Sequence, residues 1–181
     1  VWLDVAAVLV VSRPIPLTAS ARPGARTAGV LAFLIGLVAW WQVSPQVPGG
    51  DEPHYLVITQ SLLKDGDLKI ENNHRQRDYR SYFAGELPPD FRVRGRDKEI
   101  YSIHAPGVSA LVAPAFVIGG YPASVLFLLT VSALGAALAW HLAWMVTRRQ
   151  DAAWFGWAAM TFSTTWIFHS FTIYPDGPGA V

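Results

Sequence analysis

No cysteine occurs in the 181 residues, which excludes a disulfide framework, a thiolate nucleophile and a thiolate zinc site. Charge is scarce and unevenly placed. Charged residues make up 15% of the chain, against about a quarter in ordinary soluble domains. Ten acidic and nine basic side chains crowd between residues 51 and 99, while residues 27–43, 123–146 and 152–173 carry no formal charge. The net charge of +1 offers nothing for nucleic acid to bind. No internal repeat or low-complexity tract is found. Residues 1–11 lack the preceding basic residues and following small-residue cleavage site of a secretory leader.

What is present is apolar. Hydrophobic residues make up 52% of the chain, with eight Trp and nine Phe, and the mean hydropathy is +0.29. These features predict an all-α polytopic membrane protein with about three transmembrane helices and a long extracytoplasmic first loop bearing short juxtamembrane helices. Residues 1–26 read as a partial upstream apolar segment (1–11, too short to span alone) and a cytoplasmic linker. Residues 27–43 are expected as a spanning helix, short but uncharged, with Trp40 and Trp41 at the far interface. Residues 44–122 form the long loop, 123–146 a second span, 147–151 a cytoplasmic turn, 152–173 a third span, and 174–181 the start of the next outer loop. The chain reads as the amino-terminal part of a longer protein.

Within the loop, residues 53–63 have Tyr55, Ile58 and Leu62 at helical spacing, stopped by Lys64-Asp65-Gly66. Residues 67–70 suggest a brief strand or extended piece. Residues 72–98 read as polar and irregular, broken by Pro88-Pro89 and Gly95, and residues 44–98 together read as too polar and Pro-broken for a core of their own. Residues 101–120, interrupted by Pro106, Pro114 and Gly119-Gly120, suggest a short helix in or re-entering the membrane surface. Arg13, Arg22 and Arg26 flank one end of the first span, and Arg148 and Arg149 join the second to the third. With three spans these fall on one side, the cytoplasmic side by the positive-inside rule. Asp51 and Asp176 then face outward.

The chemistry gathers at Gly49-Gly50-Asp51-Glu52-Pro53-His54-Tyr55, just past the first span. Asp51 before Pro53 suits a helix cap; it equally suits a general base at the membrane surface. Glu52 would point away from Asp51 as an orienting or acceptor-contacting partner. His54 could bind phosphate, assist the base, join a metal site with Asp51 and Asp176, or be an interfacial hydrogen-bonding side chain. Tyr101 and His104 precede a Pro-Gly break at the membrane surface. Asp176, after Tyr174-Pro175, is a turn-former or a second-site acid. His141 and His169 lie in spans, where histidines are functional candidates. The loop arginines 75, 77, 80, 92, 94 and 96 are candidate phosphate ligands, and the sequence does not choose among them.

Three landmarks in order on this topology, residues 50–55, 101–107 and 174–176, resemble the GT-C superfamily of integral-membrane glycosyltransferases, particularly bacterial protein O-mannosyltransferases and lipid A aminoarabinose transferases. The resemblance covers residues 27–181; the upstream apolar segment departs from the simplest member. It implies an inverting transfer of sugar from a polyprenyl-phosphate donor to a lipid, protein or polysaccharide hydroxyl, outside the bacterial cytoplasmic membrane. It places the base on Asp51, with Glu52 beside it and His54, Tyr101, His104 and Asp176 as substrate-binding residues. It assigns no metal ligands with certainty, although some such enzymes hold a divalent cation with these carboxylates. A multi-pass transporter or flippase component is the competing reading, and a non-catalytic sensor or assembly protein a further one. A transporter would carry ionisable groups deep in interrupted spans; a sensor would carry an outer domain with its own core.

Overall fold

The computed structural model describes residues 21–43 and 46–180, with backbone alone for 21–23. The apolar 1–11 segment, most of the linker and Arg13 lie outside the described residues. Helix α1 (Ala21–Gln42) is followed by α2 (Glu52–Lys64), α3 (Glu71–Gln76) and a 3₁₀ turn (Asp78–Ser81). Strands β1 (Phe91–Arg94) and β2 (Glu99–Ser102) follow, then α4 (Gly107–Thr147), α5 (Gln150–Thr161), α6 (Thr164–Phe171) and the short α7 (Asp176–Gly179).

Among the described residues two helices are long and apolar enough to cross a membrane, 24–42 and Gly107–Thr147. The core helix of a soluble protein passes the same length test, but it would be mostly buried. Here only 17% and 44% of the most apolar windows are buried, and Val30, Leu34, Val38, Leu134, Leu138 and Leu142 stand exposed.

Packing of α1 on α4 depends on small residues. Gly24, Ala28, Ala32 and Gly36 recur every fourth position and so share one face of α1, the pattern that lets helices approach closely in lipid. A Cβ on Gly24 would lie 2.2 Å from the Trp140 ring, and one on Gly36 would lie 2.5 Å from Leu129. The Trp157 indole N–H closes the bundle by donating to the Ala28 carbonyl at 3.1 Å. Both side chains are fully buried, but Leu129 offers a terminal methyl that can shift, whereas Trp140 presents a rigid ring. Gly24→Ala is therefore expected to cost about 1–3 kcal/mol by overpacking. An unchanged thermal midpoint in detergent would refute the close approach.

Gly24 against Trp140 and Gly36 against Leu129 make α1 antiparallel to the second half of α4. Arg26 thus lies at the same end of the bundle as Arg148 and Arg149, and residues 50–55 and 174–176 lie at the other. Arg148 ends α4 in the left-handed conformation (φ 56°) with its guanidinium 4.9 Å from the Trp144 ring.

The break expected at Gly119-Gly120 is present: two helical legs of α4 meet there directly, and both glycines leave helical geometry, Gly120 at φ 63°, ψ −146°. That conformation is nearly confined to glycine, so the chain changes direction between the legs. Two regions differ from sequence expectation. The stretch expected as a third span is two helices, α5 and α6. Phe162 and Ser163 leave the helix, and the Ser163 hydroxyl accepts the Trp166 N–H as a fresh N-cap. Residues 72–98, expected to be irregular, contain α3, the 3₁₀ turn and half of a hairpin, so the chain is not purely α. The register pairs Phe91 with Ser102 and Arg94 with Glu99, and Gly95 and Lys98 take positive φ in the turn. All of β1 is exposed, so its Phe-Arg-Val-Arg alternation buries no face. The loop also has a small core, Val57, Ile58, Ile70, Tyr79 and Leu87, shared between α2 and the segments after it.

Helix α2 lies against the first leg of α4 through buried polar bonds. The Ser109 hydroxyl donates to the Tyr55 carbonyl at 2.8 Å, and the Thr59 hydroxyl to the Ser109 carbonyl at 3.2 Å. Tyr55 and Leu56 join Val108, Val112, Tyr121, Val125, Phe171 and Ile173 in one core. The start of α2 is thereby fixed to both α4 and the end of α6.

Candidate functional site

Asp51 occupies the N-cap position of α2, but its side chain makes no capping bond. Glu52 does the fastening. It is only 4% exposed; one carboxylate oxygen accepts the Gly49 N–H at 2.8 Å, and the other accepts the Ile173 N–H at 2.7 Å, 121 residues away. Burial pushes the Glu52 carboxyl above its ordinary range, against the opposing pull of these two amides. Tyr174 adds a second stitch, its hydroxyl accepting the Asp51 N–H at 3.0 Å. Gly50 makes room for it: its φ is +55°, and a Cβ there would sit 2.4 Å from the Tyr174 oxygen.

The Asp51 backbone is thus held on two sides while its carboxylate stays exposed, without an ion pair or hydrogen bond among the described residues. Asp176 is also exposed, at the start of α7. Tyr55 lies between these acids and the histidines. Burial first, then Asp51, Asp176 and Tyr174, push its phenol above the ordinary value, so both carboxylates are near enough to act on it. Its ring contacts Tyr174 at 6.1 Å on one side and His104 at 4.9 Å on the other.

His54 and His104 stack with ring centroids 5.5 Å apart. The Asp90 carboxylate faces both, 3.5 Å from His54 Nε2 and 3.9 Å from His104 Nε2. Burial pushes the His54 imidazole below its ordinary value; Asp90 and Asp51 oppose that shift and His104 adds to it. A cation held by Asp51, His54 and Asp176 does not fit this arrangement. Among the described residues the trio whose ligand atoms converge within 4.8 Å is His54, Asp90 and His104.

Tyr101 stands apart, in β2 opposite Arg92. It lines a cavity of about 300 Å³ with Arg94, Ser102 and His104. Among the loop arginines, Arg94 lines this cavity, whereas Arg77 and Arg80 are committed to Glu86. A larger, mostly apolar cavity of about 600 Å³ opens beside Asp176 and Gly177 and passes His169 and Trp166 to reach His141 and Met145 on α4. From Ser132 to Met145 it follows α4 for about 20 Å.

Comparisons with family models, curated proteins and solved structures matched nothing.

Of the residues singled out from sequence, the structure gathers Asp51, Glu52, His54, His104 and Asp176 around Tyr55 and Tyr174, and leaves Tyr101 one cavity away. Sequence reasoning missed Tyr55, Tyr174, His74 and Asp90 as parts of the site. The available signal was the histidine distribution: three of five lie in the loop, at 54, 74 and 104.

Proposed function

We propose that this chain is part of a GT-C-type membrane glycosyltransferase that transfers a sugar from a polyprenyl-phosphate carrier to an acceptor hydroxyl on the extracytoplasmic face. The observation that carries the reading is the free carboxylate of Asp51. It is held by its backbone at the outer end of an apolar helix, at the same end of the bundle as Asp176 and the mouth of a 600 Å³ apolar cavity.

The chemistry needs little else from the protein. A phosphate ester leaves the anomeric carbon without being protonated, so the main proton task falls on the acceptor. Asp51 takes the acceptor's hydroxyl proton as its oxygen bonds to the anomeric carbon. The carbon–oxygen bond to phosphate breaks from the opposite face, and its electron pair departs with the polyprenyl phosphate, inverting the centre. Glu52, buried with both oxygens occupied, acts by positioning Asp51. Arg94, beside His104 and Tyr101, is the cation we assign to the developing phosphate charge. The polyprenyl chain would lie along the apolar cavity beneath Asp176.

In this reading α1, the second leg of α4 and the α5–α6 pair are three spans of a bacterial cytoplasmic-membrane protein, with the Arg26 and Arg148–Arg149 ends inside. A transporter is less well supported, because residues 27–43 and 107–147 contain no Asp, Glu, Lys or Arg.

The test is transfer of radiolabelled sugar from a panel of polyprenyl-phosphate donors, in membranes containing the natural full-length protein. Label appearing in acceptor above protein-free membranes is expected. No transfer from any donor would remove the enzyme reading.

A further inference from the structure

The histidines of the outer loop come from three separate segments yet meet. His54 is in the first turn of α2, and His104 follows β2. The hairpin places Asp90 between them: the Phe91–Ser102 pairing extends by one bond beyond the strands, the Ile103 N–H donating to the Asp90 carbonyl at 3.1 Å. Asp90 and the residue before His104 are therefore tied by backbone, while α2 supplies His54 from the packed side.

Asp90 satisfies neither imidazole. Its carboxylate oxygen is 3.5 Å from one Nε2 and 3.9 Å from the other, outside good hydrogen-bond distance. His104 Nε2 is buried and has no hydrogen-bond partner. A small cation between the three groups would give the unpartnered Nε2 of His104 a partner and engage the Asp90 oxygen that neither ring reaches at hydrogen-bond distance. Ligand atoms about 2.1 Å from a tetrahedral ion stand about 3.4 Å apart, close to the separation of His54 from Asp90. His74 brings another nitrogen nearby. Its Nδ1 lies 3.1 Å from the Leu87 carbonyl, which can only accept, so Nδ1 carries the proton and Nε2 carries a lone pair. That Nε2 is also buried and unpartnered, in a ring 6.4 Å from His54.

We propose that His54, His104 and Asp90 bind one divalent transition-metal ion of the zinc class, in a site that clamps the hairpin to the start of α2. Two imidazoles and one carboxylate suit zinc, whereas calcium and magnesium prefer all-oxygen shells. Three protein ligands leave a fourth position open, and Asp90 is half exposed, so that position is reachable by water. The assignment rests on the hairpin geometry and not on the glycosyltransferase reading.

The experiment uses tag-free protein in detergent, stripped with chelator, reloaded with Zn²⁺ and desalted. Metal is then counted by mass spectrometry, and Co²⁺ substitution reports the coordination geometry by its visible spectrum. One zinc per chain is expected, and it should resist millimolar Mg²⁺ and Ca²⁺. Asp90→Asn and His104→Ala should weaken zinc binding by about a hundredfold or more, since even outer-shell partners are worth about 10–100-fold. His141→Ala, on α4, should retain zinc. Asp90 makes no side-chain hydrogen bond, so Asp90→Asn keeps the fold, as circular dichroism would verify. Wild type retaining no zinc, retaining no more than Asp90→Asn, or losing it to Mg²⁺ would overturn the site. Sugar transfer is not read in this assay, so its outcome leaves the transferase reading where it stood.

Discussion

Glu52→Ala is expected to loosen the end of the molecule around the start of α2 before any other part and to cost about 1–3 kcal/mol, the cost of a buried group left unpaired. Two amides lose their acceptor at once: Gly49 is exposed and water can take up its N–H, but the Ile173 N–H is fully buried. The loss is larger than for a typical surface acid because the bond to Ile173 joins segments 121 residues apart. Without it, the Tyr174 hydroxyl still links the α2 start to the turn after α6. Glu52→Gln should fall between, since its amide oxygen can accept one N–H while its NH₂ opposes the other. Denaturant unfolding in detergent gives the size of the effect, and amide exchange at Gly49 and Ile173 gives its location. A Glu52→Ala protein with wild-type stability and unchanged protection at Ile173 would mean that the carboxylate does not hold these segments together.

The same pair of residues shows how far the sequence could be read. Gly-Gly-Asp-Glu-Pro announced a helix start, and α2 begins there. Local grammar put the cap on Asp51 because its position and residue type suit a cap. The structure gives the bonding to Glu52, whose two partners include an amide supplied only by tertiary contact. No local rule could have found Ile173. The apolar runs were legible for a related reason: 27–43 and 123–146 carry their signal in their own composition, and both lie in long helices. The break at Phe162-Ser163 was not, because serine and phenylalanine are tolerated inside apolar helices and the N-cap bond to Trp166 is a choice between two local geometries. The hairpin was hidden by its exposure, since Arg92 and Arg94 alternate with Phe91 and Val93 on a strand that buries neither face. The histidine–aspartate cluster then followed the hairpin into obscurity: Asp90 comes to His104 only through the β1–β2 register.

Asp51→Asn separates chemistry from architecture in a way that Glu52→Ala cannot. The Asp51 side chain makes no hydrogen bond or ion pair among the described residues; its N–H carries the contact to Tyr174, and asparagine keeps that N–H. Stability should therefore stay within about 0.5 kcal/mol of wild type, as for surface changes away from special features. Transfer in the full-length protein should fall by about 10²–10⁴-fold, the usual worth of a positioned general base. The loss should appear in kcat with little change in KM for the lipid donor, because the donor contacts assigned above lie on Arg94 and along the apolar cavity. Asp176→Asn is the informative companion. If Asp176 serves the acceptor, its loss should raise KM for the acceptor and leave the base intact. Full turnover by Asp51→Asn, in a protein that folds and inserts normally, would remove Asp51 as the base; the proton would then have to go to Asp176, the other exposed carboxylate acting on Tyr55.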